Sequence, residues 1–212
     1  MIENGINQDI IQQMNRRLII RLLRKKGNCS RAELARWSKL KPATITNIIN
    51  EFLELGLVKE TGIIKTKKGR NAVGLSLSSR EYKIIALRLS RKYFILGLFD
   101  ISGNELSSAK YNILENDTSQ DAFEKIKKQI RALINNCKEG QIIAIGCAIP
   151  GPFLRTEGKV ALMSGFPNWQ DIRIKVELEK EFDIPVNLEH DANVGALAYY
   201  WELGARKNGT LL

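Results

Sequence analysis

The stretch SRAELARWSKLKPATITNIINEFLELG, residues 30–56, determines the fold expected for the first part of this chain. It opens with Ser30 and, three residues later, Glu33. This is the spacing of a capping box, in which each side chain bonds the other residue's backbone amide, so we expect a short helix through Trp37. Pro42 suits the first position of a second helix, which the apolar spacing extends to the end of the stretch. Two helices joined by a short turn are typical of a helix-turn-helix motif.

The second of these helices has one apolar face and one polar face. Its apolar positions, three and four residues apart, are Ile45, Ile48, Ile49, Phe52 and Leu53. The opposite face carries Thr44, Thr46, Asn47 and Asn50. Short polar side chains near the start of a helix are typical of a recognition helix that reads base edges. A solvated helix face is the alternative, but the capped helix and short turn before it favour groove contact.

A longer helix is predicted ahead of this motif, from Asn7 to Lys26, and Gly27 and Asn28 end it. Intervals of three and four residues predict a buried stripe made of Ile11, Met14, Leu18, Ile19, Leu22 and Leu23. On its outer side, this helix is expected to be basic, with Arg16, Arg17, Arg21, Arg24 and Lys25.

Two strands with a basic tip follow the motif. Residues 57–60 predict the first strand, and residues 71–77 alternate so that Val73, Leu75 and Leu77 face inward. Between them, KTKKGR at residues 65–70 holds four cations and no acid. This pattern predicts the wing of a winged helix, placed to touch phosphates or the minor groove. A solvated hairpin tip is the alternative.

The net positive charge of the chain lies entirely in this first part. Residues 1–80 carry 16 Lys and Arg against 6 Asp and Glu, and residues 81–212 carry 17 of each. A net charge of +10 on one module predicts a polyanion partner, so we expect a DNA-binding domain at 1–80 and a neutral domain at 81–212. The candidate contacts to double-stranded operator DNA are Arg31, Lys41, Pro42, Thr44, Thr46, Asn47, Asn50, Lys67, Lys68, Gly69 and Arg70.

The neutral part predicts an α/β fold. The expected elements are strands at 84–89, 93–99 and 105–113, a helix at 118–137, a strand at 142–149, a helix at 173–182, a strand at 185–189 and a helix at 191–203. Their order, β-β-β-α-β-α-β-α, is that of one actin/RNase-H-like lobe. The strand at 142–149 has no polar side chain apart from a thiol, so we expect a central parallel strand covered on both faces.

Two loops follow expected parallel strands, at 150–152 and at 189–193, and ligands of α/β sheets bind at such strand ends. The Pro-Gly-Pro loop could equally be a tight turn. Asp191 and Asn193 could equally cap the helix that follows them.

The composition favours a cytoplasmic protein without a metal or a cofactor. The three cysteines, Cys29, Cys137 and Cys147, lie far apart and have no paired spacing, so they predict neither a disulfide framework nor a zinc site. The first 15 residues lack the apolar core of a signal peptide. No apolar stretch is long enough to span a membrane.

These motifs together resemble the ROK family of repressors, open reading frames and sugar kinases, in particular its xylose and N-acetylglucosamine repressors. The resemblance covers essentially the whole chain. In the first part it rests on NRRLI (15–19), SRAELA (30–35), PATIT (42–46), ELGLV (54–58) and GR (69–70). In the second part it rests on GCAIPGP (146–152), the Trp169 segment and EHDAN (189–193).

The resemblance implies a winged helix-turn-helix followed by one ROK lobe, in a transcriptional regulator of sugar metabolism that acts as a repressor. It also implies a homodimer on a palindromic operator. A sugar effector is implied near Asp191. The family's aspartate at this position hydrogen-bonds a sugar hydroxyl in ROK repressors and is the catalytic base in ROK kinases. The implied effector residues are Gly151, Asn168, Glu189, His190, Asp191 and Asn193.

Departures from the family pattern bear on this function. ROK kinases have Asp-x-Gly-Gly-Thr where this chain has RLSRK at 88–92, so we expect no kinase activity. His190 and Gly165 stand where the family usually has asparagines. ROK proteins normally continue past the position of Leu212 with a second lobe, so we expect the sugar site to be degraded or incomplete. The alternatives are a ROK sugar kinase with a DNA-binding appendage and a constitutive DNA binder without an effector.

Overall fold

The computed structural model describes residues 7–65, 71–154, 159–160 and 168–203. The chain divides into two compact units, one made of residues 1–82 with 101–103, the other of 83–100 with 104–212. Each unit has its own hydrophobic core. No helix among the described residues is long and apolar enough to cross a membrane.

The first unit has the element order of a winged helix-turn-helix. Its elements are α1 (Gln8–Lys26), α2 (Arg31–Ser38), α3 (Pro42–Glu54), β1 (Val58–Lys65) and β2 (Asn71–Leu77). The predicted capping box is confirmed at the start of α2. Ser30 Oγ accepts from the Glu33 amide at 3.3 Å, and the Glu33 carboxylate accepts from the Ser30 amide at 3.0 Å. Pro42 occupies the first turn of α3, as predicted.

The two strands of the first unit pair antiparallel, from Val58 opposite Leu77 to Lys65 opposite Asn71. The strand predicted to end at residue 60 therefore continues to Lys65, with a bulge between Glu60 and Ile63. Cys29 forms an isolated antiparallel β-bridge to this sheet, since it exchanges two backbone hydrogen bonds with Leu75. This bridge ties the link between α1 and α2 to the sheet.

The buried stripe predicted for α1 is only half right. Ile19 and Leu23 are buried, whereas Ile11 and Met14 are 45% and 61% exposed. The helix has 19 residues and is therefore roughly 28 Å long, which exceeds the reach of a core this small. Its first half extends past the core. Val73, expected to face inward, is 39% exposed for the same reason, because it lies in the outer half of the hairpin.

The apolar face predicted for α3 is confirmed. Its buried side chains are Ile45, Ile48, Ile49 and Phe52, and Leu53 packs against them partly buried. They meet Leu34 of α2, Ile19 and Leu23 of α1, and Leu75 of β2 in one cluster. The opposite face of α3 is consequently held outward.

The second unit contains a five-stranded sheet and three α-helices among its described residues. Its main elements are β3 (Tyr82–Leu89), β4 (Tyr93–Asp100), β5 (Glu105–Asn112), α4 (Ser119–Asn136), β6 (Gln141–Ile149), β7 (Phe153–Leu154), β8 (Lys159–Val160), α5 (Ile174–Phe182), β9 (Val186–His190) and α6 (Asp191–Leu203). The strand order in the sheet is β5-β4-β3-β6-β9. The short hairpin of β7 and β8 and a 3-10 turn at Trp169–Asp171 were not expected from the sequence.

One face of this sheet carries the core of the second unit. Ile85, Leu87 and Leu89 of β3 pack there with Phe123, Ile126 and Ile130 of α4. Trp169 is fully buried and meets the Phe123 ring edge-on at 6.4 Å between ring centres.

The described residues cover the other face of the sheet only in part, so they bear out the expected cover of β6 on one face. Along β6, Ile145, Cys147 and Ile149 are buried, while Ala144, Gly146 and Ala148 between them are half-buried. A cavity of about 490 Å³ opens on this second face. Its lining includes Ala86, Arg88, Ile95, Phe99, Ala148 and Glu189.

Candidate nucleic-acid interface and ligand site

The exposed side of α3 presents the short polar side chains that the sequence singled out. Thr46, Asn47 and Asn50 are exposed there, and Lys41 and Pro42 are exposed at the amino end of the helix. Lys41 makes no side-chain cap, so the first amides of α3 receive no bond from it. A cation beside uncapped helix amides favours an anion such as a phosphate.

Two of the predicted base contacts differ in what they can offer. The Thr46 hydroxyl donates to the carbonyl of Pro42 at 3.0 Å, one helical turn back, so towards an outside partner its oxygen can act only as an acceptor. Thr44 is half-buried and lines a groove beside α1 instead of lying on the fully exposed face. Of the four predicted positions, Asn47 and Asn50 present the most adaptable polar groups.

Arg31, predicted as a DNA contact, already has intramolecular partners. Its guanidinium donates to Asn50 Oδ1 at 3.4 Å and lies 3.5 Å from a carboxylate oxygen of Glu60. Arg31 thereby links the start of α2 to the exposed face of α3 and to β1. The bond to the carbonyl oxygen of the Asn50 amide leaves the NH₂ end of that amide to donate outward.

Arg16, predicted to lie on the outer face of α1, instead pairs with α3. Its Nε donates to both carboxylate oxygens of Glu51, at 2.8 and 3.0 Å. The hydrogen bond to Glu51 raises the pKa of Arg16 above its ordinary value. This ion pair lies in a groove of about 400 Å³ whose lining is Gln8, Ile11, Gln12, Asn15, Arg16, Thr44, Asn47, Ile48 and Glu51.

The predicted wing contacts Lys67, Lys68, Gly69 and Arg70 lie outside the described residues. Lys65 and Asn71, which flank this segment in sequence, are paired across the hairpin. Contact between the four wing residues and DNA therefore stays a prediction.

In the second unit, the two predicted ligand loops follow neighbouring strands. β6 and β9 pair in parallel, and Ile149 lies opposite His190 in the register. Gly151 and Asp191 thus follow adjacent strand ends, as expected. Gly151 has a φ of 73°, a left-handed conformation that favours glycine. Asn168 is exposed at the start of the 3-10 turn, and Gly165 lies outside the described residues.

Glu189 organises the polar groups at the end of β9. Its carboxylate accepts from the His190 amide at 3.0 Å and from the Asn193 side chain at 2.9 Å. The Asn193 side chain thus bonds, through its amide nitrogen, the residue two positions before α6. The Asp191 carboxylate lies 3.8 Å from His190 Nε2, and both side chains are one-third exposed. A cluster of partly exposed carboxylate, amide and imidazole groups can bind the hydroxyls of a polyol.

Two of the three cysteines, Cys29 and Cys147, are buried. Burial raises the pKa of Cys29 to about 11 and that of Cys147 to about 12, so neither is a thiolate at neutral pH. No three His, Cys, Asp or Glu side chains in this part converge on a point that could hold a metal ion.

Comparison with known proteins identifies the family of this chain. The family model of the ROK family matches residues 84–211, and a winged helix-turn-helix DNA-binding model matches residues 15–59. The chain belongs to the ROK family. Its fold is a winged helix-turn-helix followed by a ROK lobe.

Several ROK regulators are similar to this ROK chain. A putative xylose repressor from Caldicellulosiruptor sp. (strain Rt8B.4) is 28% identical over 197 residues, which are 92% of this chain and 49% of that repressor. The DNA-binding transcriptional dual regulator NagC of Escherichia coli (strain K12) is 30% identical over 199 residues, which are 92% of this chain and 48% of NagC.

A solved structure shows the same likeness. The crystal structure of a ROK family transcriptional regulator, a homologue of the E. coli Mlc protein, superposes with a TM-score of 0.72 at 26% identity. The match covers 90% of this chain and 48% of that protein. The chain thus spans about half the length of the curated relatives and of the solved regulator that it matches.

In this ROK chain the turn between β3 and β4 differs from a phosphate-binding loop. Leu89 is buried, and the Ser90 amide donates to the carbonyl of Tyr93 at 2.9 Å, which closes the turn. Arg88 projects into the cavity on the second face of the sheet. The turn contains no glycine that would allow a phosphate to approach the backbone closely.

The sequence patterns do not single out Gln8 and Gln12 of α1, which line the groove. Gln12 lies seven and eleven residues before Ile19 and Leu23, so the three share one face of the helix. A polar residue on the same helix face as two buried ones indicates that this face leaves the hydrophobic core at Gln12. The pairing of Arg16 with Glu51, 35 residues away, had no such signal.

Proposed function

We propose that this ROK chain binds double-stranded operator DNA and represses genes of sugar metabolism, with α3 in the major groove. One observation carries the proposal: the exposed face of α3 presents Asn47, Asn50 and Thr46 while its opposite face is anchored in the core. A rigid helix that offers short amide side chains is suited to read base edges. The xylose repressor and the N-acetylglucosamine repressor that are similar to this chain support the same function.

Charge supports DNA as the partner. Residues 1–80, taken as the DNA-binding domain, carry 16 cations and 6 acids, whereas residues 81–212, taken as the ROK lobe, carry 17 of each. Lys41 at the start of α3, together with Lys67, Lys68 and Arg70 of the wing, would hold the phosphate backbone. Such a protein works in the cytoplasm, where its operator lies.

A sugar or sugar derivative at the carboxyl ends of β6 and β9 would be the signal. Glu189, His190, Asp191 and Asn193 lie together there, and Gly151 follows the neighbouring strand. Carboxylate and amide groups at this edge of a sheet suit a ligand with several hydroxyls. Two relatives are named for xylose and N-acetylglucosamine, which supports this ligand class. A homodimer would match a palindromic operator.

The proposed function does not include phosphoryl transfer. Arg88 carries a positive charge where ROK kinases place the acid that supports the metal, and the closed turn after β3 has no glycine. A coupled assay of ATP consumption with a panel of hexoses and pentoses checks this. Turnover that is lost in Asp191→Ala would overturn it.

The DNA proposal is tested on a duplex selected from a random-sequence pool by the full chain. Asn47→Ala and Asn50→Ala should each weaken binding to that duplex about 5- to 100-fold, because a base contact contributes about 1–3 kcal/mol. Binding to an unselected duplex should change little. Asn135→Ala is the matched control, since Asn135 is exposed on α4 of the other unit. Failure of the chain to prefer any duplex, even at low salt, would overturn the proposal.

The sugar part of the proposal has its own test. Titration calorimetry with the same sugar panel should give heat for at least one sugar, and Asp191→Ala should abolish it. Operator binding without heat from any sugar would instead favour a constitutive DNA binder.

A further inference from the structure

The face of α1 that is buried in its second half turns polar in its first half. Ile19 and Leu23 are almost fully buried on this face. Towards the amino end, the corresponding positions are Gln8, Gln12, Asn15 and Arg16. These side chains border a groove of about 400 Å³ together with residues of α3. A core does not need such amides, so this part of the face is suited to a polar partner.

The groove is continuous with the surface that α3 would offer to bases. Asn47 is exposed on that surface and also lines the groove, beside Thr44. A duplex that lies against α3 places base edges along the exposed face of the helix. The sugar-phosphate strand that borders the major groove then runs along one flank of α3. On this flank the first half of α1 forms the other wall.

An acid would oppose such an arrangement if it had no counter-charge. Glu51 lies in the groove, about one-third exposed, and a carboxylate there would repel phosphate. Arg16 donates to both of its oxygens from α1, which neutralises the acid and ties the two helices together. The groove is left with neutral donors and one internally balanced ion pair.

We propose that the first half of α1 belongs to the DNA interface, where Gln12 and Asn15 donate to phosphate oxygens of the strand bordering the major groove. Arg16 acts there as a positioning residue that holds Glu51 and the spacing between α1 and α3. The inference rests on the proposed DNA binding and extends it to a second helix. Amide side chains are common phosphate ligands, and they fix the register of a protein on the duplex without reading its sequence.

The amide contacts are tested with a matched pair of glutamines. Gln12 lines the groove, whereas Gln13 is exposed and lies outside it. Gln12→Ala and Asn15→Ala in the full chain should each weaken binding about three- to tenfold, on both the selected duplex and an unselected one. Gln13→Ala should change binding less than twofold. The slope of affinity against salt should stay unchanged, because no charge is removed.

The positioning role of Arg16 is tested against Arg17, which is exposed and carries the same charge. Arg16→Gln should weaken DNA binding about three- to fivefold more than Arg17→Gln, because it leaves the Glu51 carboxylate beside phosphate. The double variant Arg16→Gln, Glu51→Gln should recover most of this difference. Hydrogen exchange of α3 amides in each variant confirms that the helix is formed.

The outcomes separate this inference from the proposed function. Equal affinities for Gln12→Ala, Asn15→Ala and Gln13→Ala, with Asn47→Ala still impaired, would overturn the α1 interface alone. A loss confined to the selected duplex would overturn the phosphate assignment. Equal losses in Arg16→Gln and Arg17→Gln, without recovery in the double variant, would overturn the positioning role. A wild-type chain that binds no duplex would defeat the proposed function itself.

Discussion

Ser30 and Glu33 satisfy backbone amides at the start of α2 that the helix itself leaves without partners. Ser30 is buried, so water cannot replace the lost bond easily. Because Leu34 follows directly and enters the core, this cap fixes both the start of α2 and the depth at which the helix packs.

Ser30→Ala should lower the free energy of unfolding of the first unit by about 1–2 kcal/mol, the usual contribution of a helix cap. Urea denaturation measures the free energy of unfolding, and hydrogen exchange of the α2 amides measures the local loss of protection. Glu33→Gln is the control, since a glutamine at this position can still complete a capping box. A Ser30→Ala protein as stable as the wild type would show that the cap contributes nothing.

At the scale of an element, α4 is held at its start by the loop before it. The Asp117 carboxylate accepts from the Leu114 amide at 2.7 Å and from Lys125 Nζ, two turns into the helix, at 2.7 Å. The bond to Lys125 contributes most to lowering the pKa of Asp117 below its ordinary value of 3.8, and the Leu114 amide adds to it. A carboxyl group with a lowered pKa stabilises the folded state only while it is ionised.

Asp117→Asn should therefore lower the melting temperature of the second unit at pH 7. The difference from the wild type should shrink as the pH falls through and below 3.8, because the wild-type carboxyl is then protonated as well. Thermal melts over this pH range measure it. Glu115→Gln removes an exposed acid from the same loop and should shift the melting temperature little at any pH. A pH-independent difference for Asp117→Asn would contradict the role of ionisation.

At the scale of the whole molecule, the uneven charge of the chain makes the expected DNA binding dependent on salt. Each cation that neutralises a phosphate releases counterions and steepens the fall of affinity with salt. The first 80 residues supply the entire net charge of +10. The position of a cation should therefore matter more than the total charge of the protein.

Neutralising the wing with Lys67→Gln, Lys68→Gln and Arg70→Gln should weaken DNA binding and reduce the log–log salt slope by up to about 2.7, or 0.9 for each phosphate contact. Salt titrations of the full chain measure it. The control removes three exposed lysines from the ROK lobe, with Lys92→Gln, Lys128→Gln and Lys138→Gln. If both triple variants showed the same slope, the wing would not contact phosphate.

Short-range features of this chain could be predicted from its residues alone. The capping box at Ser30, the start of α3 at Pro42, the apolar face of α3 and the strands expected at 84–89 and 93–99 all depend on contacts within a few residues. The motifs of the ROK family lie in the same local segments, so the family and its fold were also accessible. The parallel ends of β6 and β9 followed from the expected topology.

Tertiary packing decides which residues lie against each helix or strand face. Periodicity placed Ile11 and Met14 on a stripe with Leu18 and Leu22, but the core is too short to cover the first half of α1. Periodicity places Arg16 on the outer face of α1, whereas in the structure its guanidinium bonds Glu51 of α3. Sequence spacing tells which side chains share a face, because helix and strand geometry are local. What lies opposite depends on how distant segments meet, and that is settled by the shape and extent of the two cores.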